Sequence, residues 1–245
     1  MRIFYPDKLA LGEELVLDAN ACRHLQVLRV QLKDRIVLFN GLGGEYEAEI
    51  THVSKKSYSA TPLQHHSIEL ESPLDITIAQ GIAKGDKMDF IVQKAVELGA
   101  NSIQPLITSR GNVRYADNER EQKRVNHWQQ IVISACEQSG RNHIPIVLPP
   151  LRLAAWLGQA AGQFNVKIVL DPYAQQTLKS ITLPTIAKIC LLLGPEGGLS
   201  REEIKEASQA NFIAVKLGPR VLRTETATLA ALTALQALWG DLIPE

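Results

Sequence analysis

Two apolar runs that each end in a Gly-Pro dipeptide constrain the fold of this chain more than any other feature. The motif that contains the first Gly-Pro occupies residues 191–198, and the motif that contains the second occupies residues 217–227. The apolar run before each Gly-Pro has the length of a strand, and a helical pattern follows each motif. Ser200 and Glu203, after the first motif, have the spacing of a capping box. Because ligands of open α/β sheets bind beyond the carboxyl ends of the strands, we expect the two glycine loops to form one binding crevice.

Residues 74–245 alternate between strand-like and helix-like patterns. We predict strands at 75–80, 102–108, 166–170, 189–193 and 212–217, and helices at 86–98, 118–139, 153–157, 200–210 and 224–239, with Asp86 capping the first helix. This alternation indicates a mostly parallel sheet that is covered on both faces. The last helix is so apolar that it must be buried inside the domain or at a subunit interface.

Residues 1–72 have a different pattern of short alternating runs, at 14–17, 35–39, 45–53 and 57–62. A glycine-rich loop at 40–44 joins two of these runs as a hairpin, and Asp18 is a good N-cap for one intervening helix. The pattern is typical of a small β-barrel. Residues 65–73 are polar and end in proline, so we predict a linker there and two domains, 1–72 and 73–245.

Composition limits the classes of function. The 245 residues include 26 Lys and Arg and 26 Asp and Glu, so bulk charge does not hold this chain to nucleic acid, although a local basic patch remains open. The three cysteines, at 22, 136 and 190, fit neither a disulfide framework nor a zinc pattern, which favours a reducing cytoplasm. No apolar stretch has transmembrane length and residues 1–6 lack a signal-peptide pattern, so we expect a cytoplasmic protein without a membrane partner.

Several familiar motifs are missing. The glycines at 41–44 lack the third glycine of a dinucleotide fingerprint, and no Gly-Lys-Ser/Thr follows the glycines at 194–198, which excludes a P-loop. The six histidines are scattered, so we expect no metal site. Cys136 lies in a predicted helix without an evident base, and we interpret it as a packing residue rather than a nucleophile.

The two loop motifs, at 193–198 and 217–227, resemble those of the knotted SPOUT methyltransferases. Within that superfamily the chain is similar to the ribosomal RNA small subunit methyltransferase E family, since three further stretches also fit, at 24–29, 84–99 and 137–141. The resemblance covers nearly the whole chain.

The resemblance implies an α/β fold, a SPOUT α/β domain with a C-terminal deep trefoil knot, preceded by a small N-terminal PUA-like β-barrel that binds RNA. It also implies a homodimer that holds S-adenosyl-L-methionine at the knot and methylates N3 of uridine 1498 in 16S rRNA of the small ribosomal subunit. Two alternatives remain: a SPOUT enzyme that methylates a ribose 2′-hydroxyl, and a non-enzymatic RNA-binding assembly factor.

The two glycine loops are suited to a flat, apolar cofactor with polar edges, because their backbone groups bind the edges while leucines cover the faces. We therefore expect the cofactor to be bound by Leu170, Leu193, Gly194, Pro195, Glu196, Gly197, Gly198, Leu217, Gly218, Arg220, Leu222 and Thr226.

Methylation of uridine N3 requires loss of the N3 proton and stabilisation of the resulting charge. Arg223 is a candidate to stabilise charge on O2 or O4, with a salt bridge or a dimer contact as its alternative role. Glu225 is a candidate to orient Arg223 or to act as the base. Arg220 binds either the cofactor carboxylate or RNA phosphate, and Glu196 is more consistent with capping the next helix than with acting as a base.

Any positively charged side chain that is long enough to contact an RNA phosphate is able to bind it. The candidate RNA-binding residues are Arg2, Arg23 and Arg29 in the barrel, and Lys84, Lys87, Arg110, Arg114 and Arg141 in the catalytic domain.

Overall fold

The computed structural model describes residues 1–55, 57–111, 118–160, 162–185 and 187–243. They form two compact units. The first comprises Met1–Glu71 and Cys136–Ile144, and the second comprises Ser72–Ala135 and Pro145–Glu245. The sequence placed residues 136–144 in the second domain, whereas the structure places them in the first unit.

The first unit is built on a five-stranded sheet with the order β1-β3-β4-β5-β2. Its elements are β1 (Arg2–Phe4), β2 (Leu15–Val16), α1 (Ala19–Val27), β3 (Arg35–Phe39), β4 (Glu45–Val53) and β5 (Tyr58–His66). Strands β3 and β4 pair antiparallel, as the hairpin pattern predicted. Strand β5 pairs antiparallel to β4, and β1 pairs parallel to β3. Leu25, Ile36, Leu38 and Ile50 are buried in its core.

Strand β5 is longer than the sequence predicted. His65 and His66 belong to the strand and not to a linker, because they pair with Tyr46 and Glu45 of β4. The rings of Tyr46 and His65 pack with centroids 4.6 Å apart. Cross-strand packing of this kind extends a strand whose own polar sequence would not identify it.

Buried polar groups explain why residues 136–144 belong to the first unit. Arg141 is only 3% exposed, and its Nε donates to both carboxylate oxygens of Glu71 at 3.2 and 3.0 Å. The side-chain amide of Asn142 donates to the carbonyl of Ile68 at 2.6 Å, and its oxygen accepts from Arg2 at 2.6 Å. Since buried polar groups must be paired, these contacts attach the segment to the β-sheet unit.

The second unit contains a parallel sheet with the order β11-β13-β10-β12-β6-β7-β8, and β9 also pairs with β7. Its strands are β6 (Asp75–Gly81), β7 (Ser102–Ile107), β8 (Ile146–Val147), β9 (Leu151–Arg152), β10 (Val166–Leu170), β11 (Gln176–Thr177), β12 (Lys188–Leu193) and β13 (Ile213–Lys216). Its helices are α2 (Asp86–Glu97), α3 (Asn118–Ser139), α4 (Leu153–Ala160), α5 (Arg201–Gln209) and α6 (Thr224–Trp239), with a 3-10 turn at Leu178–Ser180. The last turn of α3, from Cys136, belongs to the first unit. The predicted α/β class is confirmed.

Two helix starts show where local sequence signals suffice and where they do not. The capping box is present at α5, where Ser200 Oγ accepts from the Glu203 N–H at 3.1 Å and Glu203 accepts from the Ser200 N–H at 2.8 Å. The expectation that Asp86 caps α2 was wrong, because Gly85 is the N-cap and has φ 53°. Asp86 instead lies in the first turn, where its charge complements the helix dipole.

The strand order brings the two loops together. Strand β10 lies between β12 and β13, so the loops that follow β12 and β13 emerge on either side of the end of β10. Helix α6, which follows the second loop, packs against α2 and β12. The chain therefore crosses back along the strand order, from β13 past β10 to β12. The trefoil knot stays a prediction.

We expect Arg141→Met to lower the free energy of unfolding by about 3 kcal/mol, because it leaves the Glu71 carboxylate without its buried partner. The matched control is Arg35→Met, since Arg35 is half exposed and pairs with Glu47 and Glu49 at 3.4 and 3.2 Å. Exposed pairs contribute less than about 1 kcal/mol. Urea denaturation followed by circular dichroism measures both, and equal losses would contradict a structural role for Arg141.

Candidate functional site

A cavity of about 740 Å³ lies at the carboxyl ends of β10, β12 and β13. Eleven of the predicted cofactor-binding residues line it: Leu170, Leu193, Gly194, Pro195, Glu196, Gly197, Gly198, Leu217, Gly218, Arg220 and Leu222. Both glycine loops therefore contribute to one cavity.

The structure adds lining residues that the sequence analysis missed. Asp171, Pro172 and Tyr173 follow β10 and line the cavity, and so does Thr224 at the start of α6. Their position follows from the strand order, because β10 ends between the two loops. The only local signal was an Asp-Pro-Tyr sequence directly after an apolar strand, and that signal has no meaning until the neighbours of β10 are known.

The first loop is folded so tightly that one of its glycines cannot carry a side chain. A Cβ on Gly194 would lie 2.6 Å from the carbonyl carbon of Gly198 and 2.6 Å from the Leu199 nitrogen. The Gly198 N–H donates to the Pro195 carbonyl at 2.8 Å, and Gly198 has φ 67°, in the left-handed region. The packing of the loop thus requires glycine at 194, and the backbone conformation favours glycine at 198.

Glu196 is held as a carboxylate by groups around the start of α2. It accepts a hydrogen bond from the Lys84 N–H at 3.0 Å and lies 3.4 Å from Lys87 Nζ. Partial burial raises the pKa of Glu196, but these contacts and its own N–H outweigh burial and leave the pKa below its usual value. Ser200 and Glu203 cap α5, so the expectation that Glu196 caps that helix was wrong.

Three of the candidate RNA-binding residues lie against the first loop. Lys84 and Lys87 contact Glu196, and the Arg110 guanidinium donates to the carbonyls of Gly197 and Leu199 at 3.2 and 3.4 Å. Arg110 also lines the cavity. Lys84 makes its contact through its backbone, whereas Lys87 and Arg110 bring charged side chains to the loop, which suits an anionic ligand or the backbone of RNA.

The candidate RNA-binding residues of the first unit divide by exposure. Arg23 and Arg29 are exposed, whereas Arg141 is buried with Glu71, and Arg2 pairs with Glu45 and stacks on the Phe39 ring at 4.6 Å. The structure therefore corrects the prediction for Arg2 and Arg141, whose charges are engaged inside the first unit. Arg114 lies outside the described residues.

The remaining predicted site residues lie at the start of α6. Arg223 is the exposed N-cap residue of α6. Arg223 is not among the described residues that line the cavity. Glu225 and Thr226 line a second, more open groove of about 560 Å³, together with Phe90 of α2 and further residues of α6. Within the described residues, Glu225 Oε2 is buried and has no hydrogen-bond partner.

In the part of the chain that the structure describes, the other reactive side chains do not form a second catalytic or metal-binding site. In the described ranges, no group of three or more His, Cys, Asp or Glu residues could hold a metal ion, and no helix has the length and apolar character needed to span a membrane. Cys22, Cys136 and Cys190 are free and buried. Burial raises the pKa of the Cys136 thiol to about 12, which is unsuitable for a nucleophile.

The cavity fits an adenine-containing cofactor. Its volume lies within the range of about 300–1,000 Å³ that is usual for small-molecule sites. Leu170, Leu193, Leu217 and Leu222 provide apolar surface, and the backbone groups of the two loops provide donors and acceptors. This combination matches a flat ring system with polar edges.

Comparison with protein families gives two matches. The model of an RNA methyltransferase domain matches residues 70–236, and the model of an RNA methyltransferase PUA domain matches residues 17–63. A Buchnera aphidicola protein named ribosomal RNA small subunit methyltransferase E is 38% identical to this chain, over 98% of the chain and 97% of the relative.

Two solved structures are similar over the whole chain. The crystal structure of a ribosomal RNA small subunit methyltransferase E from Neisseria gonorrhoeae bound to S-adenosylmethionine is 44% identical, with a TM-score of 0.92 and 99% coverage of both chains. A Legionella pneumophila protein in complex with the same bound cofactor is 40% identical, with a TM-score of 0.93 and 98% coverage of both chains.

We expect Gly194→Ala to lower the free energy of unfolding by about 1–3 kcal/mol, because the added methyl group meets backbone atoms that cannot move without distorting the loop. Gly158→Ala is the matched control, since Gly158 lies on the exposed side of α4 with nothing within 4 Å of an added Cβ. Alanine should stabilise that helix by about 0.5–1 kcal/mol. Urea denaturation measures both changes, and a Gly194→Ala variant as stable as the parent would refute the steric argument.

Proposed function

This chain belongs to the ribosomal RNA small subunit methyltransferase E family, and on that premise we propose that it uses S-adenosylmethionine to methylate N3 of uridine 1498 in 16S rRNA. The observation that carries the proposal is the two-loop cavity, in a chain 44% identical throughout to a relative crystallised with S-adenosylmethionine. Two alternatives are a ribose methyltransferase of another branch and a non-enzymatic assembly factor. Neither is favoured, because both units match RNA methyltransferase domains and the full-length relative is named ribosomal RNA small subunit methyltransferase E.

S-adenosylmethionine, when bound, supplies an electrophilic methyl group on a sulfonium. The leucines of the cavity would cover the adenine faces, and the backbone of the loops at 194–198 and 217–222 would bind its edges. Arg220 lines the same cavity and is suited to the cofactor carboxylate, since a guanidinium binds a carboxylate through two parallel hydrogen bonds.

The protein must make uridine N3 nucleophilic, because N3 carries a proton at neutral pH. We assign to Arg223 the stabilisation of negative charge on O2 or O4 as that proton leaves. Glu225 has one buried carboxylate oxygen without a partner in the described part of the chain, so it is able to accept a hydrogen bond from Arg223 or the N3 proton itself. Arg223 is exposed and therefore accessible to a large RNA substrate.

RNA contact is assigned to the exposed cations. Arg23 and Arg29 serve this role in the PUA-like unit, and Lys84, Lys87 and Arg110 serve it beside the first loop. The chain has no net charge, so affinity for bulk nucleic acid is low and the shape of the rRNA in the small subunit contributes to recognition. That substrate and the free, buried cysteines are consistent with a cytoplasmic protein.

A homodimer explains the open groove on α6. The groove is lined by Phe90 and by residues of α6 that are mostly small or apolar. Ala230, Thr233, Ala234 and Ala237 would allow close approach of a second copy, and a twofold axis would bury the same face of both copies. Glu225 and Thr226 line this groove as well, so the dimer contact would lie next to the catalytic candidates.

The proposed reaction is tested with the purified protein, S-adenosylmethionine and small ribosomal subunits that lack their own uridine methylation. The RNA is digested and its nucleosides are identified by mass spectrometry against base-methylated and ribose-methylated standards. We expect N3-methyluridine. A ribose-methylated product would refute the assigned reaction, and no product on any ribosomal RNA would refute the assigned substrate.

In the same assay, we expect Arg223→Ala to lower the rate of methyl transfer by at least about 100-fold, the usual cost of removing a donor that stabilises developing charge. Cofactor affinity and the urea midpoint should stay near the parent values, since Arg223 does not line the described cavity. Near-normal turnover would remove Arg223 from the mechanism.

The dimer is tested by Thr233→Arg, which places a charged side chain in the groove on α6. We expect this variant to be monomeric by light scattering after size-exclusion chromatography, whereas the parent is dimeric. Gln209→Arg, on the exposed end of α5, is the control for added charge and should remain a dimer. A dimeric Thr233→Arg variant would place the interface elsewhere.

A further inference from the structure

Gln80 lies at the carboxyl end of β6 and is completely buried. It pairs in register with Leu193, the last residue of β12, so its side chain lies next to the point where the first loop begins. Gln80 does not line the described cavity, and the proposed function gives it no role. A buried amide of this kind needs a complete set of hydrogen-bond partners.

The partners of Gln80 determine which end of the amide carries the nitrogen. Nε2 lies 2.8 Å from the Gly81 carbonyl and 3.1 Å from the Gly194 carbonyl. Both carbonyls can only accept, so a flipped amide would place an oxygen against two oxygens. Oε1 lies 2.9 Å from the Thr228 hydroxyl, whose one proton is shared between Oε1 and the Thr224 carbonyl, also at 2.9 Å. The orientation therefore follows from the chemistry of the neighbours.

The network connects the first cofactor loop and the start of α6 to one side chain. The Thr224 hydroxyl donates to the Gly194 carbonyl at 2.7 Å and accepts from Gln80 Nε2 at 3.0 Å. Gly194 begins the first loop, and Thr224 is the first residue of α6, two residues beyond the end of the second loop. Gln80 and Thr228 are fully buried and Thr224 is 7% exposed, so water cannot replace these bonds easily.

The residue after Gln80 contacts the first loop by close packing. A Cβ on Gly81 would lie 2.6 Å from Pro195 Cδ and 2.7 Å from the Pro195 nitrogen. The end of β6 thus meets the first loop twice, through the amide of Gln80 and through the bare backbone of Gly81. Both contacts restrict the conformation of the first loop at this point.

We propose that Gln80 is a positioning residue that fixes the first loop against Thr224 at the start of α6, both of which line the cavity, and so preorganises the cavity for the cofactor. The inference rests on the proposed function, since it concerns the same site. A cavity whose walls are already in place binds its ligand without the additional cost of ordering them. Removal of the amide should therefore weaken cofactor binding more than it disturbs the rest of the fold.

The chain provides a matched control on the next strand. Gln104 of β7 is 3% exposed, and its Nε2 donates to the carbonyl of the following residue, Pro105, at 2.9 Å. It also donates to the Pro149 carbonyl at 2.9 Å. Gln104 is therefore, like Gln80, a buried amide that bonds the next carbonyl along the chain, but its second partner is not in a cofactor loop.

The test compares Gln80→Met with Gln104→Met, because methionine has nearly the shape of glutamine and lacks its amide. Titration calorimetry measures the Kd for S-adenosylmethionine, and urea denaturation without cofactor measures stability. We expect both variants to lose similar stability, and only Gln80→Met to raise the Kd, by about tenfold or more.

A second variant covers the case in which Gln80→Met does not fold. Thr228→Val keeps the shape of the side chain and removes the hydroxyl, which lies 2.9 Å from both Gln80 Oε1 and the Thr224 carbonyl. We expect it to raise the Kd by about threefold, because Gln80 loses the donor to its oxygen. A parent-like Kd in Gln80→Met, or in Thr228→Val where Gln80→Met is unfolded, would overturn the positioning role. Equal losses of affinity in Gln80→Met and Gln104→Met would also overturn it.

The parent protein separates the two proposals. If the parent does not bind S-adenosylmethionine, the proposed function fails and the positioning role fails with it. If the parent binds and Gln80→Met binds equally well, only the positioning role fails.

Discussion

The parallel pairing of β12 with β6 on one side and β10 on the other is the constraint on which the site depends. Six residue pairs join β12 to β6 and four join it to β10. Because these strands run in the same direction, their carboxyl ends lie at the same edge of the sheet. The first loop therefore leaves the sheet at Gly194 with Leu170 beside it, and the crossover to β13 brings the second loop to the other side of β10.

Strand pairing positions the ends of the loops, but it does not determine the conformation of the loops between those ends. Buried side chains supply that second level of order. Thr224 and Gln80 both donate toward the Gly194 carbonyl, and a tight turn from Pro195 to Gly198 closes the first loop. In a site protected from water, such bonds are strong when complete and costly when broken. The cavity is therefore a property of the packed domain and not of the glycines alone.

Much of the fold was predictable because apolar periodicity is a local signal. The bounds of the strands at 35–39, 45–53 and 166–170 and of the helix at 224–239 were all predicted as they are observed. Two of the failures have a common cause, since each depends on a neighbour that is distant in sequence. His65 joins a strand because Tyr46 lies opposite it, and residues 136–144 leave the second unit because Glu71 pairs with Arg141.

The sequence alone determined the presence of two glycine loops after two apolar strands, and with it the class of fold and most of the residues that line the cavity. Only the tertiary structure decided which cations are available, because exposure depends on partners that the local sequence does not specify. Arg141 is buried by Glu71, whereas Arg110 lies at the rim of the cavity. The tertiary structure also decided the role of Gln80, since a polar residue in an apolar strand acquires a function only from the groups that the fold brings against it.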